Sequence, residues 1–176
     1  PGPGVGGHCI AVDPWFLVES HPEEARMITL ARHTNDQMPS YVVEDMQGIL
    51  EDHNLASPKV AVLGLSYKGN IDDMRESPSL KIIEHLNKLN IEYNVYDPHI
   101  RDVRVEHQTL SLEEAIHGAN IILILTDHND FKAYNPSEIG KVMNNKIVLD
   151  TKNCLDNKQW IEAGFHYYLL GDAKNR

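Results

Sequence analysis

The sequence predicts an α/β fold in which a parallel β-sheet carries helices on both faces and follows one long helix. After residue 58, five short apolar runs rich in β-branched residues alternate with helical patterns. Each run is almost wholly apolar, which is typical of strands buried on both faces of a parallel sheet. Before residue 53, apolar residues recur at steps of three, four or seven, which indicates a long amphipathic helix.

The composition restricts the classes of partner. The chain has 176 residues, 41% of them hydrophobic, so it can bury a core, and its formal net charge is −10. A surface of that sign repels nucleic acid and anionic lipid, so we expect neither nucleic acid nor a membrane as a partner. The longest apolar run, around 121–125, is far shorter than the roughly 20 residues that span a bilayer. With no recognisable signal peptide, we expect a cytoplasmic protein.

The first segment, 1–19, is glycine-rich and then contains Cys9 and Asp13. Glycines allow backbone amides to approach a ligand closely, and a thiol just after them can reach the bound molecule. A carboxylate four residues later lies nearby if the chain turns into a helix, where it can hold a water. The spacing is equally compatible with a flexible turn that holds an incidental cysteine. Because the chain opens within a loop and without a Met, we expect a fragment of a longer protein.

The long helix is predicted over 23–52, with Pro39 expected to kink or break it. Its apolar stripe is longer than a small neighbouring domain needs, so we expect it to pack on another helix, plausibly of a second subunit. The alternative is a core helix within one chain. The stripe consists of Ile28, Ala31, Met38, Val42, Met46 and Ile49.

The remaining elements follow from the alternation after residue 58. Ligands of such sheets bind at the turns that follow the strands. The predicted strands are 59–65, 91–96, 120–125, 146–149 and 165–169, the predicted helices are 77–89, 112–117, 136–143 and 157–163, and the turns at the binding edge are 64–73, 97–100, 126–131 and 150–153.

The turn after the first strand is the strongest candidate for a nucleotide site. The strand ends in a glycine, a helix is predicted to open at Ser77, and Asp97 ends the second strand, where a ribose acceptor often lies. The glycine spacing of a dinucleotide site is absent. Lys68 and Arg75 could instead meet phosphates, or be ordinary solvated cations.

Other candidate sites are weaker. The 126–131 turn is expected to be solvated, and Cys154, which follows a strand, is expected to pack rather than react. Two cysteines in such different contexts indicate reduced thiols. The histidines have none of the spacings of a metal motif, so no metal is expected.

Two strings decide the family. Residues 2–17, GPGVGGHCIAVDPWFL, and 67–78, YKGNIDDMRESP, resemble the UDP-glucose/GDP-mannose dehydrogenase family. The resemblance implies a catalytic segment over 1–19, a central helical dimerisation region over 20–57 and a Rossmann-like, UDP-sugar-binding domain over 58–176. It also implies an N-terminal NAD-binding domain that these residues do not include. Ala11 and Trp15 favour UDP-N-acetylmannosamine as substrate, with UDP-N-acetylglucosamine and UDP-glucose as alternatives.

The resemblance also implies roles for individual residues. Members of the family oxidise an alcohol to an acid in two hydride transfers to NAD and form homodimers. Cys9 matches the nucleophile that forms a thiohemiacetal and then a thioester, and Asp13 matches the carboxylate that handles the hydrolytic water. Arg75 matches a contact to NAD. The residues that match contacts to the UDP-sugar are Gly4, Val5, Gly6, Tyr67, Lys68 and Lys152.

Two alternatives from other classes stay open. The chain could act by itself as a nucleotide-binding or dimerisation module without chemistry, and we expect the isolated chain to be inactive. It could also belong to a thiol-dependent aldehyde dehydrogenase of another family, which would not bind UDP.

Overall fold

The computed structural model describes residues 2–172; residues 1 and 173–176, at the ends of the first and last predicted segments, lie outside the described residues. The elements in chain order are α1 His8–Ser20, α2 Arg26–Asp52, β1 Lys59–Leu63, α3 Pro78–Lys88, β2 Glu92–Tyr96, α4 Leu112–Ile116, β3 Ile121–Ile124, α5 Asn129–Lys132, α6 Pro136–Ile139, β4 Ile147–Asp150, α7 Asn157–Glu162 and β5 His166–Leu169.

The five strands form one parallel sheet in the order β2-β1-β3-β4-β5, which confirms the predicted fold class. Side chains of β1 alternate between two cores: Val60 and Val62 face the core that α2 and α3 complete, while Ala61 and Leu63 face the core that α4 to α7 complete. Helices therefore cover both faces. The chain order reverses between β1 and β3, which places a crevice at the carboxyl ends of these two strands.

Side-chain caps fix where the helices after the strands begin. Ser77 caps α3 by accepting the Ser79 N–H, and Pro78 occupies the first helical position, as the sequence predicted. Short polar side chains open three further helices in the same way: Ser111 for α4, Asn135 for α6 and Asp156 for α7.

Of the kink or break that the sequence predicted at Pro39, the break is wrong, because the long helix α2 runs without interruption from Arg26 to Asp52. Proline leaves the carbonyl of residue 35 without its helical donor, and that carbonyl lies beside Gly4. Pro39 itself is buried, and packing on both sides of it holds the helix together. The second half of α2 is a core helix within this chain, because Val42 and Met46 are fully buried.

Three features differ most from the sequence prediction. Residues 8–20, for which no separate helix was predicted, form α1, and the short helix α5 begins within the predicted turn 126–131 and ends one residue beyond it. Helix α6 ends at Ile139 rather than at residue 143, because the chain turns at Gly140 to let Lys146 and Phe165 pack close to its backbone. Across residues 2–172, no helix is long and apolar enough to cross a membrane.

Candidate active site

The turn after β1 carries Tyr67 and Lys68 to the carboxyl edge of the sheet. The carboxylate of Asp97 anchors its start, because Oδ2 accepts the N–H groups of Leu65 at 2.7 Å and Ser66 at 3.1 Å. The Tyr67 N–H donates to the Asp73 carbonyl at 3.0 Å, which closes the turn. Tyr67 is half-buried and Lys68 is exposed, so the lysine charge faces solvent at the edge where ligands of parallel sheets bind.

The glycine segment before α1 lies directly against this turn. The Gly7 N–H donates to the carbonyl of Arg75 at 3.1 Å, and a Cβ on Gly7 would lie 2.8 Å from the Tyr67 ring. Gly7 also has a φ of 87°, which other residues rarely adopt. A Cβ on Gly6 would collide with the carbonyl of Glu76. Both glycines are therefore required by close backbone packing, and they hold the start of α1 against the turn.

Helix α2 holds the same segment from the other side. The side chain of Asn35 accepts the Val5 N–H at 2.7 Å and donates to the Val5 carbonyl at 3.2 Å. Arg32 is buried; it donates to the carbonyl of Ile10 at 3.3 Å and to Asp36 at 3.0 Å. The segment that precedes and begins α1 is thus clamped between α2 and the turn after β1.

Cys9 and Asp13 lie on one face of α1, because they are four residues apart in a helix, and both are exposed. The sequence predicted that Cys9 and Asp13 lie near each other if this segment is helical, and the segment is helical. Hydrogen bonds and the charge of Asp73 raise the pKa of Arg75, with smaller contributions from the nearby Tyr67 and Cys9. The nucleophile candidate therefore lies in the same neighbourhood as the Arg75 guanidinium.

Arg75 is bound within the chain as a fork on Asp73. Its Nη2 lies 2.6 Å from Asp73 Oδ2, and its Nε lies 3.0 Å from Oδ1. The hydrogen bonds from Arg75 lower the pKa of the Asp73 carboxyl. The guanidinium remains 69% exposed, so it can still meet a ligand from its outer side.

Lys152 lies on the turn after β4, which a second buried carboxylate organises. Asp150 accepts the Lys152 N–H at 2.8 Å through Oδ1 and, through Oδ2, the N–H groups of Cys154 and Leu155 and the hydroxyl of Tyr167, each at 2.9 Å. The Lys152 ammonium lies 3.8 Å from Asp127 Oδ1, and Gly2 packs beside it. Lys152 therefore adjoins the start of the segment that leads to Cys9.

Cys154 has the character of a packing residue, as predicted. It lies against the core under α7, and burial, together with the negative charge of Asp150, raises the pKa of its thiol to about 12. A thiol of that pKa is protonated at neutral pH and is a poor nucleophile.

The turn 126–131 contains functional candidates that sequence reasoning missed. The prediction that it is solvated holds for Asn129 and Asp130, which are exposed, but it is wrong for Thr126, His128 and Phe131, which are buried. His128 Nε2 lies 3.0 Å from Asp97 Oδ2 and 3.2 Å from Ser66 Oγ, and its Nδ1 receives the Asn70 N–H at 2.9 Å. The one apolar residue of the turn, Phe131, was the available signal that its neighbours approach the core.

The remaining predicted site residues lie on the glycine segment and on the turn after β1. Gly4, Val5 and Gly6 lie in the clamped segment, Tyr67 touches it, and Lys68 and Arg75 stand on the turn beneath it. Within residues 2–172, no group of three His, Cys, Asp or Glu side chains is arranged to hold a metal ion.

Comparison with protein families gives a match over residues 61–157, more than half of the chain, to the UDP binding domain of the UDP-glucose/GDP-mannose dehydrogenase family. The UDP-N-acetyl-D-mannosamine dehydrogenase of Methanococcus vannielii is 46% identical, over 98% of this chain and 40% of that protein. The chain spans about two fifths of the length of the curated relatives it matches.

Two solved structures have the same fold. The UDP-N-acetylmannosamine dehydrogenase of Pyrococcus horikoshii superposes with a TM-score of 0.85 at 38% identity, over 97% of this chain and 40% of that one. The NDP-N-acetyl-D-galactosaminuronic acid dehydrogenase of Methanosarcina mazei superposes with a TM-score of 0.87 at 27% identity, over 97% of this chain and 39% of that one.

Proposed function

The chain belongs to the UDP-glucose/GDP-mannose dehydrogenase family, and from this premise we propose that it is the UDP-sugar-binding, nucleophile-bearing part of an NAD-dependent dehydrogenase. The proposed reaction oxidises the C6 alcohol of UDP-N-acetyl-D-mannosamine to a carboxylate. Residues 1–19 are the catalytic segment, 20–57 the dimerisation region and 58–176 the UDP-sugar domain. An N-terminal NAD-binding domain would belong to the longer protein.

One observation supports this proposal above the others: the segment that begins α1 packs on the turn that carries Tyr67 and Lys68. The Gly7 N–H bonds the carbonyl of Arg75, and the Tyr67 ring lies beneath Gly7. A thiol two residues later therefore begins next to the edge of a parallel sheet where a nucleotide binds. This is the arrangement that a covalent reaction on a nucleotide-linked sugar requires.

The proposed contacts to the substrate use local cations on an acidic protein. Lys68 and Lys152 are point charges at the ends of β1 and β4, and they can meet the two phosphates of UDP. Tyr67 supports the loop on which the sugar would rest. Gly4, Val5 and Gly6 can offer backbone groups to the sugar, although the N–H and carbonyl of Val5 already bond to Asn35.

Residues 2–172 do not by themselves build an NAD site. Asp97, at the place where a dinucleotide-binding sheet holds a ribose, is buried, and its carboxylate already accepts Leu65, Ser66, His99 and His128. Among the described residues, the outer side of Arg75 can contact NAD, but no glycine-rich loop of a dinucleotide site is present to hold it. NAD, when bound, supplies the hydride acceptor for both oxidations, and the longer protein would hold it.

The chemistry proposed for this chain concerns Cys9 and Asp13. The Cys9 thiolate adds to the carbonyl carbon of the aldehyde, forming a C–S bond while the aldehyde oxygen takes a proton. After the second oxidation the same carbon is a thioester. Water attacks it, Asp13 accepts a proton from that water, and the C–S bond breaks to return the thiolate and release the acid.

The identity of the hexosamine, the oligomeric state and the cellular location are also proposed. The name of the Methanococcus vannielii relative favours the manno substrate, while the Methanosarcina mazei structure carries the name of a galactosaminuronic acid enzyme. The alternatives from the sequence are UDP-N-acetylglucosamine and UDP-glucose. A homodimer through the first half of α2 is supported by Met27 and Leu30, which are 84% and 68% exposed there. A cytoplasmic location fits a nucleotide-sugar substrate.

Calorimetric titration of the chain with UDP, and separately with NAD, tests the proposal. UDP binding without appreciable NAD binding is the expected result. Lys68→Ala should weaken UDP binding about tenfold, the loss of roughly one charge-assisted hydrogen bond. Lys88→Ala, an exposed lysine at the far end of α3, is the matched control. Tight NAD binding without UDP binding would overturn the assignment of 58–176 and would favour a domain of another kind.

A further inference from the structure

Three buried polar side chains from three different strand ends meet beneath the turn that carries Tyr67 and Lys68. They are Ser66 after β1, Asp97 after β2 and His128 after β3, and none is more than 3% exposed. His128 Nε2 lies 3.0 Å from Asp97 Oδ2 and 3.2 Å from Ser66 Oγ. Buried polar groups are stable only when their hydrogen bonds are satisfied, so these three side chains are expected to form one connected hydrogen-bond network.

The hydrogen bonds select one tautomer of His128. Nδ1 faces the backbone N–H of Asn70 at 2.9 Å, and because an N–H can only donate, Nδ1 must accept. The ring proton then lies on Nε2, which points at the Asp97 carboxylate. The imidazole is therefore neutral, and it uses one nitrogen to hold the turn and the other to hold the carboxylate.

The network is not a hydrolytic triad. In a Ser–His–Asp triad, the serine and the aspartate bind opposite ring nitrogens. Here Ser66 and Asp97 both meet Nε2, and the Ser66 hydroxyl donates to the carbonyl of Lys68 at 3.0 Å. With every member buried, no substrate could reach the hydroxyl. The consequence of the network must therefore lie in the backbone that it holds.

The held backbone is the part of the turn from residue 65 to residue 70. Asp97 accepts the N–H groups of Leu65 and Ser66, Ser66 Oγ bonds the carbonyl of Lys68, and His128 accepts the N–H of Asn70. Hydrogen bonds thus fix the turn before, at and after the pair Tyr67 and Lys68.

The surroundings keep the network closed. The His99 ring stacks on His128 with centroids 4.6 Å apart, and His99 Nε2 lies 3.2 Å from Asp130 Oδ2. Phe131 packs edge-on against the other side of the ring. Burial raises the pKa of Asp97, but the hydrogen bonds from His128 and from the N–H groups of Leu65 and His99, together with the electrostatic interaction with His128, act the other way, so the pKa is lowered on balance and the carboxylate stays charged.

We propose that His128 and Asp97 are positioning residues for the nucleotide-sugar substrate: neutral His128 latches the 65–70 turn so that Tyr67 and Lys68 meet UDP in a fixed geometry. This inference rests on the proposed function, because it assumes that Tyr67 and Lys68 bind UDP. A fixed turn binds more tightly than a mobile one, since less conformational entropy is lost when the ligand binds.

Two substitutions at His128 each remove one of the two hydrogen bonds that the ring makes. His128→Gln places an amide N–H near the position of Nε2 and removes the acceptor for Asn70; His128→Asn places an oxygen near Nδ1 and removes the donor to Asp97. At a temperature where circular dichroism shows each variant folded, we expect titration calorimetry to give UDP affinity about tenfold weaker for each. His117→Asn, an exposed histidine at the opposite edge of the sheet, should bind UDP like the parent chain. Unchanged affinity in both His128 variants would overturn the proposal.

A measurement without UDP separates this inference from the proposed function. Nitrogen-15 NMR of the His128 ring should find the proton on Nε2 and a bare Nδ1, and hydrogen exchange at the Asn70 amide should be faster in His128→Gln than in the parent. A proton on Nδ1, or equal exchange, would overturn the latch even if UDP binds. Correct ring protonation and slow exchange in a chain that fails to bind UDP would reject the proposed function and leave the latch in place.

If neither His128 variant folds, Ser66→Ala tests at a second point, and with a smaller change in volume, whether this hydrogen-bond network fixes the turn for UDP. It removes the hydroxyl that bonds the Lys68 carbonyl and leaves His128 and Asp97 in place. UDP affinity should fall about threefold to fivefold, which is the effect of roughly one neutral hydrogen bond. Affinity equal to that of the parent chain would overturn the proposal.

Discussion

The two halves of the candidate site are held in different ways. At the sheet edge, the buried carboxylates Asp97 and Asp150 each accept several backbone N–H groups and fix the turns that carry Lys68 and Lys152. Helix α1, by contrast, carries Cys9 on an exposed face and leaves Ile10, Phe16 and Leu17 each more than half exposed. The difference teaches that hydrogen bonds within this chain preorganise the sheet-edge half of the candidate site, while the helix surface around Cys9 is left exposed.

The largest expected effect comes from removing a buried carboxylate. Asp97→Ala leaves the N–H groups of Leu65, Ser66 and His99 and the His128 ring without their acceptor, and should lower the free energy of unfolding by roughly 3–5 kcal/mol. Asp13→Ala, the exposed carboxylate on α1, should change it by less than about 0.5 kcal/mol. Urea unfolding of both variants measures the contrast. Equal losses would remove the distinction between the two halves.

The junction between the halves should show an intermediate effect. Gly7→Ala forces a Cβ to within 2.8 Å of the Tyr67 ring at a φ of 87°, so we expect a loss of about 1–3 kcal/mol in unfolding free energy. The matched control is Gly48→Ala in α2, where a Cβ would meet nothing within 4 Å. That substitution should stabilise the chain by roughly 0.5–1 kcal/mol, since alanine is the better helix former. A tolerated Gly7→Ala would show that α1 can shift away from the turn.

Acid should weaken the sheet half before the helix half. The folded pKa of Asp97 lies below its ordinary value of 3.8, so this group contributes stability at pH values above the unfolded pKa. That contribution is lost as the pH falls from about 4 through the folded pKa. In urea titrations at falling pH, the parent chain should lose stability more steeply than Asp97→Asn below about pH 4. Parallel curves would mean that the carboxylate is not held by its hydrogen bonds.

The two cysteines should differ sharply in reactivity, while replacing Cys9 should have the smallest effect on stability. At pH 8, iodoacetamide should modify Cys9, which is exposed, and spare Cys154, whose burial raises its thiol pKa to about 12. Intact-mass and peptide mass spectrometry should find one label, and Cys9→Ser should remove it while changing the unfolding free energy by less than about 0.5 kcal/mol. Labelling of Cys154 first would reverse the assignment of the two thiols.

Local patterns were sufficient for most of the fold. Apolar runs between turn residues predicted all five strands, and Ser77 followed by Pro78 predicted the start of α3, because capping depends on neighbours in sequence. Pro39 misled the prediction for α2, since its cost is local while the packing that offsets it comes from α1 and α3. The 126–131 turn was mispredicted for a different reason. Its polar residues are typical of a solvated loop, yet the partners of His128 lie about 30 and 60 residues away in the chain.

The sequence by itself determined the α/β class, the candidate thiol and carboxylate at Cys9 and Asp13, and the candidate cations Lys68 and Arg75, because periodicity and motif spacing are properties of neighbouring residues, while Lys152 became a candidate only through the family resemblance. Tertiary structure alone decided that Gly7 lies on the Tyr67 ring, that Arg75 is forked on Asp73 and that His128 lies within hydrogen-bond distance of Asp97 beneath the turn that carries Tyr67 and Lys68. The contacts of His128 join strand ends that are adjacent only after the sheet has formed, and burial then strengthens their hydrogen bonds.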